Sequence, residues 1–383
     1  MTNPSHDGCD PMIDFLALAA PGVRALTPYA PGKPIAALQR EYGVSDIIKL
    51  ASNENPLGPS PKVLDAVRAA LTDIALYPDG SGFELKTALA RKHAIAPACI
   101  TLGNGSNDVL DLVARAFLVP GSEAVYDEHA FAVYPIATQS VGATGRVAIA
   151  HDGRRGPRYG HDLDALRALV NARTRVVFIA NPNNPTGTWL RAAELEAFIR
   201  DVPPQVLIVV DEAYFEYVDE TDYPDTSQWL DRFPNLIVTR TFSKAYALAG
   251  LRAGYALSHP AVADLLNRVR QPFNLNSLAQ VAACAALDDR AHLAAAVQVN
   301  RTGMQQLIQI CKDLGLDYIP SVGNFLCIDV KAPGALVYES LLRAGIIVRP
   351  IANYGLPQHL RVTVGTAAQN SRFGAVLKRV LGR

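Results

Sequence analysis

At 383 residues the chain is long for one core, so two domains are expected. Hydrophobic residues at 49% and charged residues at 19% describe an ordinary soluble globular protein. Lys+Arg and Asp+Glu stand equal at 36 each, so no overall field draws the chain to nucleic acid or an anionic membrane. Five scattered cysteines (Cys9, Cys99, Cys284, Cys311, Cys327) form no Cys-x-x-Cys pair, which fits reduced thiols in a cytoplasmic protein better than a disulfide framework or zinc site. Residues Met1 to Asp10 are polar and show no signal peptide, and no apolar run approaches a membrane span.

Residues 1 to about 45 read as an arm, with many Pro and Gly and short apolar pieces such as Leu26-Thr27-Pro28-Tyr29-Ala30-Pro31-Gly32. A turn-rich linker follows from Asn53 to Pro61, where Ser60 and Pro61 mark the start of a helix presenting Val63, Val67 and Leu71 on one face. From Ala98 to about Ser258 strands and helices alternate. Strand-like runs are Ala124-Tyr126, Val147-Ile149, Val176-Ile179, Val206-Val210, Leu236-Val238 and Ala253-Leu257; helical patterns such as Leu163-Leu166-Leu169-Val170 lie between them. Short, continuously apolar strands of this kind predict an α/β fold: a large domain, residues 46–260, with a mostly parallel sheet sandwiched by helices. After about residue 260 an alanine-rich helical region leads to strands at Asn324-Val330, Ile346-Arg349 and Leu360-Val364, then a closing helix from Phe373 to Leu381. This predicts a smaller α+β domain, residues 261–383, packed with the arm. The basic run Arg154-Arg155-Gly156-Pro157-Arg158 reads as a solvated loop.

The chemistry centres on Thr241-Phe242-Ser243-Lys244, with Arg252 eight residues beyond the lysine. A lysine at a strand end in small, apolar surroundings loses solvation, which lowers its pKa and lets a neutral amine attack a carbonyl. It would hold an aldehyde cofactor as a Schiff base, with Ser243, Thr241 and Arg252 as phosphate donors. A surface lysine beside a helix cap is the alternative. Gly103-Asn104-Gly105-Ser106-Asn107-Asp108 opens a helix and presents backbone N–H groups, a phosphate seat or a plain tight turn; it is neither a dinucleotide fingerprint nor a Walker A loop. Asn181-Pro182-Asn183-Asn184-Pro185-Thr186-Gly187 lies at the carboxyl end of an inner strand, where open α/β sheets bind ligands, although an Asx turn explains it too. Asp211 closes the most apolar strand and needs a cationic partner if buried; a pyridinium nitrogen would serve, and so would a role as helix cap. Glu128 to Tyr134 is expected to start a helix, with Phe131 either stacking on a planar ring or simply core. His129 beside Glu128 is too little for a metal site, and no metal is expected. Taken together these groups supply every interaction that pyridoxal phosphate needs.

The chain resembles the fold-type-I pyridoxal-phosphate aminotransferases over nearly its whole length, and among them the histidinol-phosphate aminotransferase family. The resemblance is carried by Asn53-Glu54-Asn55-Pro56, Tyr77-Pro78-Asp79, Asn183-Asn184-Pro185-Thr186-Gly187, Asp211-Glu212-Ala213-Tyr214, Ser243-Lys244 with Leu248-Ala249-Gly250-Leu251-Arg252, and Leu360-Arg361-Val362-Thr363-Val364-Gly365. It implies that Lys244 attaches pyridoxal 5'-phosphate, that Asp211 keeps the ring nitrogen protonated, and that Tyr214 and Asn184 bond the ring oxygen while Phe131 stacks on the ring. The phosphate would be held near Gly105, Ser106 and Asn107, by Thr241, Ser243 and Arg252, and by Tyr77 from a neighbouring subunit, so the site would be shared across a homodimer. Arg361 would grip the substrate's anionic group, with Asn324, Arg349 and Tyr29 lining the substrate end. An amino donor, expected to be glutamate, and an oxo-acid acceptor are the implied partners, with histidinol phosphate and 2-oxoglutarate interconverting with imidazole acetol phosphate and glutamate. Many family members carry tyrosine where this chain has Phe131. That, together with Ile351 to Pro357, points to a branch associated with aromatic substrates, so an aromatic amino acid aminotransferase stands as the alternative. A threonine-phosphate decarboxylase and a non-catalytic cofactor-binding module are further rivals.

Overall fold

A computed structural model gives the fold, with residues 13–29 and 31–383 described. The polar start at Met1 to Asp10 with its Cys9, and Ala30 in the arm, lie outside the described residues. Seven strands form the main sheet in the order Ile100–Gly103, Gly254–Ser258, Leu236–Thr241, Leu207–Asp211, Thr174–Ala180, Glu123–Asp127, Thr144–Ala148. Only Gly254–Ser258 runs against its two neighbours; the remaining pairings are parallel. Parallel strands need both faces covered, and side chains alternate between two cores. Val177, Ile179, Ile208, Val210 and Val238 face one core, roofed by helices Pro61–Ala70, Phe83–His93, Ala192–Asp201 and Ser277–Asp288. The intervening Val176, Phe178, Val209 and Ile237 face the other, under helices Ser106–Phe117, Val133–Ser140 and Pro260–Val269.

A second sheet is antiparallel, in the order Arg349–Ile351, Leu356–Thr363, Phe325–Asp329, Asp317–Ile319. Its apolar face packs with Met304, Leu307 and Cys311 of the long helix Arg290–Asp313, Val337 and Leu341 of Gly334–Arg343, and Phe373 and Leu377 of Ala367–Val380. The chain returns early to this unit: Ile48–Lys49 pairs in parallel with Ile346–Ile347, and Leu50 N–H donates to the Ile347 carbonyl.

Several expectations need correction. A division at residue 260 does not follow the packing, because Leu266, Ala279, Ala282 and Ala283 belong to the cores of the large sheet while Ile48 and Leu50 belong to the small one. The alanine-rich composition hid this, since small side chains let Ser277–Asp288 lie close against Pro61–Ala70. The arm contains a helix, Ile35–Tyr42, whose Leu38 buries against Leu342 and Ile347; eight residues were too few for a visible period. Ser60 does cap its helix, its Oγ accepting from Val63 N–H at 3.2 Å, but Leu71 falls past the last helical turn and is 48% exposed. Glu128 to Ala132 forms no helix. There Asp127 Oδ1 accepts from His129 N–H at 2.8 Å and turns the chain, and the helix begins at Val133. The four described cysteines are unpaired thiols, and no helix among the described residues is long and apolar enough to cross a membrane.

Candidate active site

The parallel strands Thr174–Ala180, Leu207–Asp211 and Leu236–Thr241 end side by side, and the loops leaving them enclose a cavity of about 260 Å³. Its walls include Lys244, Asp211, Tyr214, Asn184, Ser106 and Arg361. Ligands of open α/β sheets bind outside such carboxyl ends.

Lys244 sits three residues past the end of its strand, as the sequence predicts, and is half-buried. Its Nζ donates to the Ser52 carbonyl at 3.0 Å. Loss of solvation, then the guanidinium groups of Arg361 and Arg252, lower its pKa to about 7. A substantial share of the amine is therefore neutral near pH 7.

Asp211 is buried and lines the same cavity. Its Oδ2 accepts from Tyr134 Oη at 3.0 Å and its Oδ1 from Thr239 Oγ1 at 2.9 Å. Burial holds its carboxyl above the ordinary carboxylate range, against the opposing influence of the two hydroxyls and Lys244. A buried acid bonded only to neutral donors, the two hydroxyls and the Ala213 N–H, is an incomplete arrangement, and a protonated ring nitrogen would complete it.

At the other end of the cavity helix Ser106–Phe117 begins with no side-chain cap, so its first N–H groups are available to an anion. Ser106 and Asn107 line the cavity there with Ser243 and Arg252. The Arg252 guanidinium donates to Ser243 Oγ at 3.2 Å and to the Ala249 carbonyl at 3.1 Å, both uncharged acceptors. Gly105 makes room for Arg252: a Cβ there would lie 2.5 Å from Arg252 Nη2. Gly254 acts similarly, a Cβ on it falling 2.3 Å from Ser106 N. Thr241 lines the cavity, but its hydroxyl is engaged in the loop, accepting from Ser243 N–H at 3.1 Å.

Tyr214 is buried, which pushes its hydroxyl up to about 12, and it accepts from Asn53 Nδ2 at 2.8 Å. Asn184 Oδ1 accepts from Arg361 Nη1, and Arg361 Nη2 donates to the Ala51 carbonyl at 2.7 Å. Phe131 contributes its ring to the wall, set edge-on to Tyr134. Arg349 and Arg361 stand directly opposite each other in the antiparallel ladder, and both line the cavity. Like charges so placed repel, an arrangement that suits an anion between them. Tyr29 also lines the cavity, with the Arg349 guanidinium 5.7 Å from its ring centre.

One expected residue is elsewhere. Asn324 does not line the cavity; it is buried behind it, its Nδ2 donating to the Asn53 carbonyl at 2.9 Å. Tyr77, expected to serve a neighbouring subunit, stays out of this chain's own cavity: it is 83% exposed and stacked on Phe273 at 4.7 Å. Three residues at the site escaped the sequence reading. Tyr134 follows Phe131 by three positions, an interval visible in the sequence, but its partner Asp211 is 77 residues away. Thr239 pairs in register with Asp211 across two strands, and Asn53 meets Tyr214 only through the fold.

The acid, the amine, the paired ring-oxygen donors and the phosphate seat fit pyridoxal 5'-phosphate. Residues 45–377 match the family model for aminotransferase class I and II. The chain is 62% identical to histidinol-phosphate aminotransferase 2 of Methylococcus capsulatus, over 96% of this chain and 100% of that one. It is 58% identical to histidinol-phosphate aminotransferase 2 of Pseudomonas aeruginosa, over 97% and 99% respectively. Its fold superposes with a TM-score of 0.86 on a histidinol-phosphate aminotransferase from Sinorhizobium meliloti solved in complex with pyridoxal-5'-phosphate, at 31% identity over 94% of this chain and 97% of the other. The chain thus belongs to the class I and II aminotransferases, enzymes dependent on pyridoxal phosphate, and within them to the histidinol-phosphate aminotransferase family.

Proposed function

We propose that the protein moves an amino group between histidinol phosphate and 2-oxoglutarate, yielding imidazole acetol phosphate and glutamate, and the reverse. The observation that carries this is a buried, cation-seeking Asp211 and a desolvated Lys244 on one cavity, beside two opposed arginines on the small sheet. Bound pyridoxal phosphate supplies an amine carrier and an electron sink that acidifies the substrate's α-hydrogen.

The chain's own residues divide the remaining work. Lys244 would anchor the cofactor through Nζ, and when free its amine, already lowered in pKa by the lost solvation of this site, would serve as the base for the substrate's α-hydrogen. The Ser52 carbonyl holds Nζ in place while it is free. Asp211, oriented by Tyr134 and Thr239, would offer its charge to the cofactor's ring nitrogen. Tyr214 and Asn184 donate to the ring oxygen, and Phe131 packs on the ring face. The uncapped N–H groups of Ser106 and Asn107, with Ser243 and Arg252, hold the phosphate, and Thr241 shapes their loop. Arg361 and Arg349 bind the substrate's anionic group, a guanidinium fork accepting carboxylate or phosphate ester alike. Tyr29 covers the substrate. Asn324 acts from behind by holding Asn53. Exposed Tyr77 and its apolar neighbours Ile74, Leu76 and Phe83 support a homodimer in which Tyr77 completes the partner's phosphate seat. A cytoplasmic location belongs to the same reading.

A half-reaction screen tests the substrate. The loaded enzyme is mixed with glutamate, histidinol phosphate, phenylalanine or threonine phosphate, and cofactor absorbance is followed. Glutamate and histidinol phosphate should convert the cofactor to its amine form at the highest kcat/KM. Preference for phenylalanine would shift the reading to an aromatic aminotransferase. Lys244→Ala should lower turnover at least about 10⁴-fold, and retention of activity would end the proposal.

A further inference from the structure

We infer that Asn53 is a positioning residue that fixes the hydroxyl proton of Tyr214, so that Tyr214 and Asn184 both donate toward one point of the cavity. The inference rests on the cofactor reading above and adds a residue to it.

Asn53 is buried and adopts a left-handed φ of 56°, a conformation that asparagine tolerates better than most residues. Its backbone N–H donates to Thr363 Oγ1 at 2.9 Å, and Thr363 Oγ1 lies 3.2 Å from Asn53 Oδ1. The threonine hydroxyl accepts the N–H on one lone pair and gives its single proton to the amide oxygen. That sets the orientation of the side chain. Nδ2 then points to Tyr214 Oη at 2.8 Å, as donor. The Asn53 carbonyl is held in turn by Asn324 Nδ2 at 2.9 Å.

The consequence falls on Tyr214. With Asn53 donating to its oxygen, the tyrosine proton turns away from Asn53 and into the cavity. Asn184 is set the same way: its Oδ1 is taken by Arg361, which leaves its NH₂ group for the cavity. Two donors face the ligand, and an oxygen bearing negative charge is what they select. An aspartate at position 53 would do the reverse, accepting the tyrosine proton and withdrawing it from the ligand. Because Thr363 and Asn324 belong to the small antiparallel unit and Tyr214 to the large one, the proton's direction is set by residues from both.

The test uses the cofactor-loaded enzyme and reads the pH midpoint of its visible absorbance in wild type, Asn53→Gly, Tyr214→Phe and the double variant. Glycine keeps the left-handed backbone and removes the amide. An anion that loses a donor holds a neighbouring proton more tightly, so each change raises the midpoint. Tyr214→Phe should shift it by about one unit or more, and Asn53→Gly by roughly half a unit. In the Tyr214→Phe background Asn53→Gly should add nothing, because it acts through that hydroxyl. Additive shifts, or an unmoved midpoint in Asn53→Gly, would overturn the inference. A merely structural role would weaken cofactor retention and thermal stability without moving the absorbance. Should Asn53→Gly fail to fold, the near-isosteric Asn53→Asp must raise the midpoint, and failure to do so is equally fatal. A wild-type enzyme with no pH-dependent band that vanishes in Lys244→Ala would overturn the cofactor reading as well; an intact band with no response at position 53 overturns this inference alone.

Discussion

Asp211 and Glu212 are consecutive acids at the end of one strand, and their surroundings are opposite. Asp211 points with Thr239 to one face of the sheet, where its oxygens meet neutral donors, the hydroxyls of Tyr134 and Thr239 and the Ala213 N–H. Glu212 and Arg240 point to the other face. There Arg240 Nε and Nη2 donate to Glu212 Oε2 at 2.9 and 2.7 Å, Arg240 Nη2 also reaches Asp225 Oδ1 at 2.6 Å, and Thr226 Oγ1 donates to the remaining Glu212 oxygen at 2.6 Å. The Phe215 ring lies 3.5 Å from that guanidinium. One face therefore holds a closed set of charges and the other an open one. Closed sets hold a fold in a single arrangement; an open one in the same interior is kept for a ligand.

This contrast can be broken by substitution. Arg240→Met should have the largest effect, since it strands Glu212 without a cation: denaturant unfolding of the cofactor-free chain should show a loss of about 3–5 kcal/mol. Asp211→Asn should act the other way round. Steady-state kinetics should give kcat/KM about 10²–10³-fold lower, while the unfolding free energy of the cofactor-free chain holds or rises, because a costly buried acid has been neutralised. If Asp211→Asn proved as destabilising as Arg240→Met, the two faces would not differ as argued. The smallest effect is a matter of pH. With its pKa lowered from 10.5 to about 7, Lys244 is mostly neutral above pH 7, and its neutral fraction falls about tenfold for each unit below. Loading of the cofactor-free chain with pyridoxal phosphate, followed by stopped-flow absorbance, should accelerate as pH rises through about 7 and then level. Acceleration continuing toward pH 10 would show an amine that remains solvated.

Legibility in the sequence tracked how local each signal was. Lys244, Ser243 and Asp211 each stand at the end of an apolar strand, and Ser106 and Asn107 open a helix behind a glycine turn, so chain position alone exposed them. Tyr134 and Thr239 were missed because nothing near them in the sequence refers to Asp211. Asn53 lay within a quoted motif, yet its partner Tyr214 is 161 residues away. That Gly105 leaves room for Arg252, 147 positions on, is likewise invisible in the local pattern. The division of the chain suffered for the same reason: Ser277–Asp288 has small, evenly apolar side chains, which do not say which sheet they will cover.

From the sequence alone came the alternating fold of the large sheet, the places of Lys244 and Asp211 at neighbouring strand ends, and the cofactor class, because strand periodicity, helix starts and buried-charge chemistry act over a few residues. Tertiary structure decided which groups face one another: the hydroxyls on Asp211, the amide on Tyr214, the opposed Arg349 and Arg361, and the return of residues 48–50 to the small sheet. Those pairings join residues far apart in the chain, and no short-range pattern encodes a distance that exists only once both cores have closed.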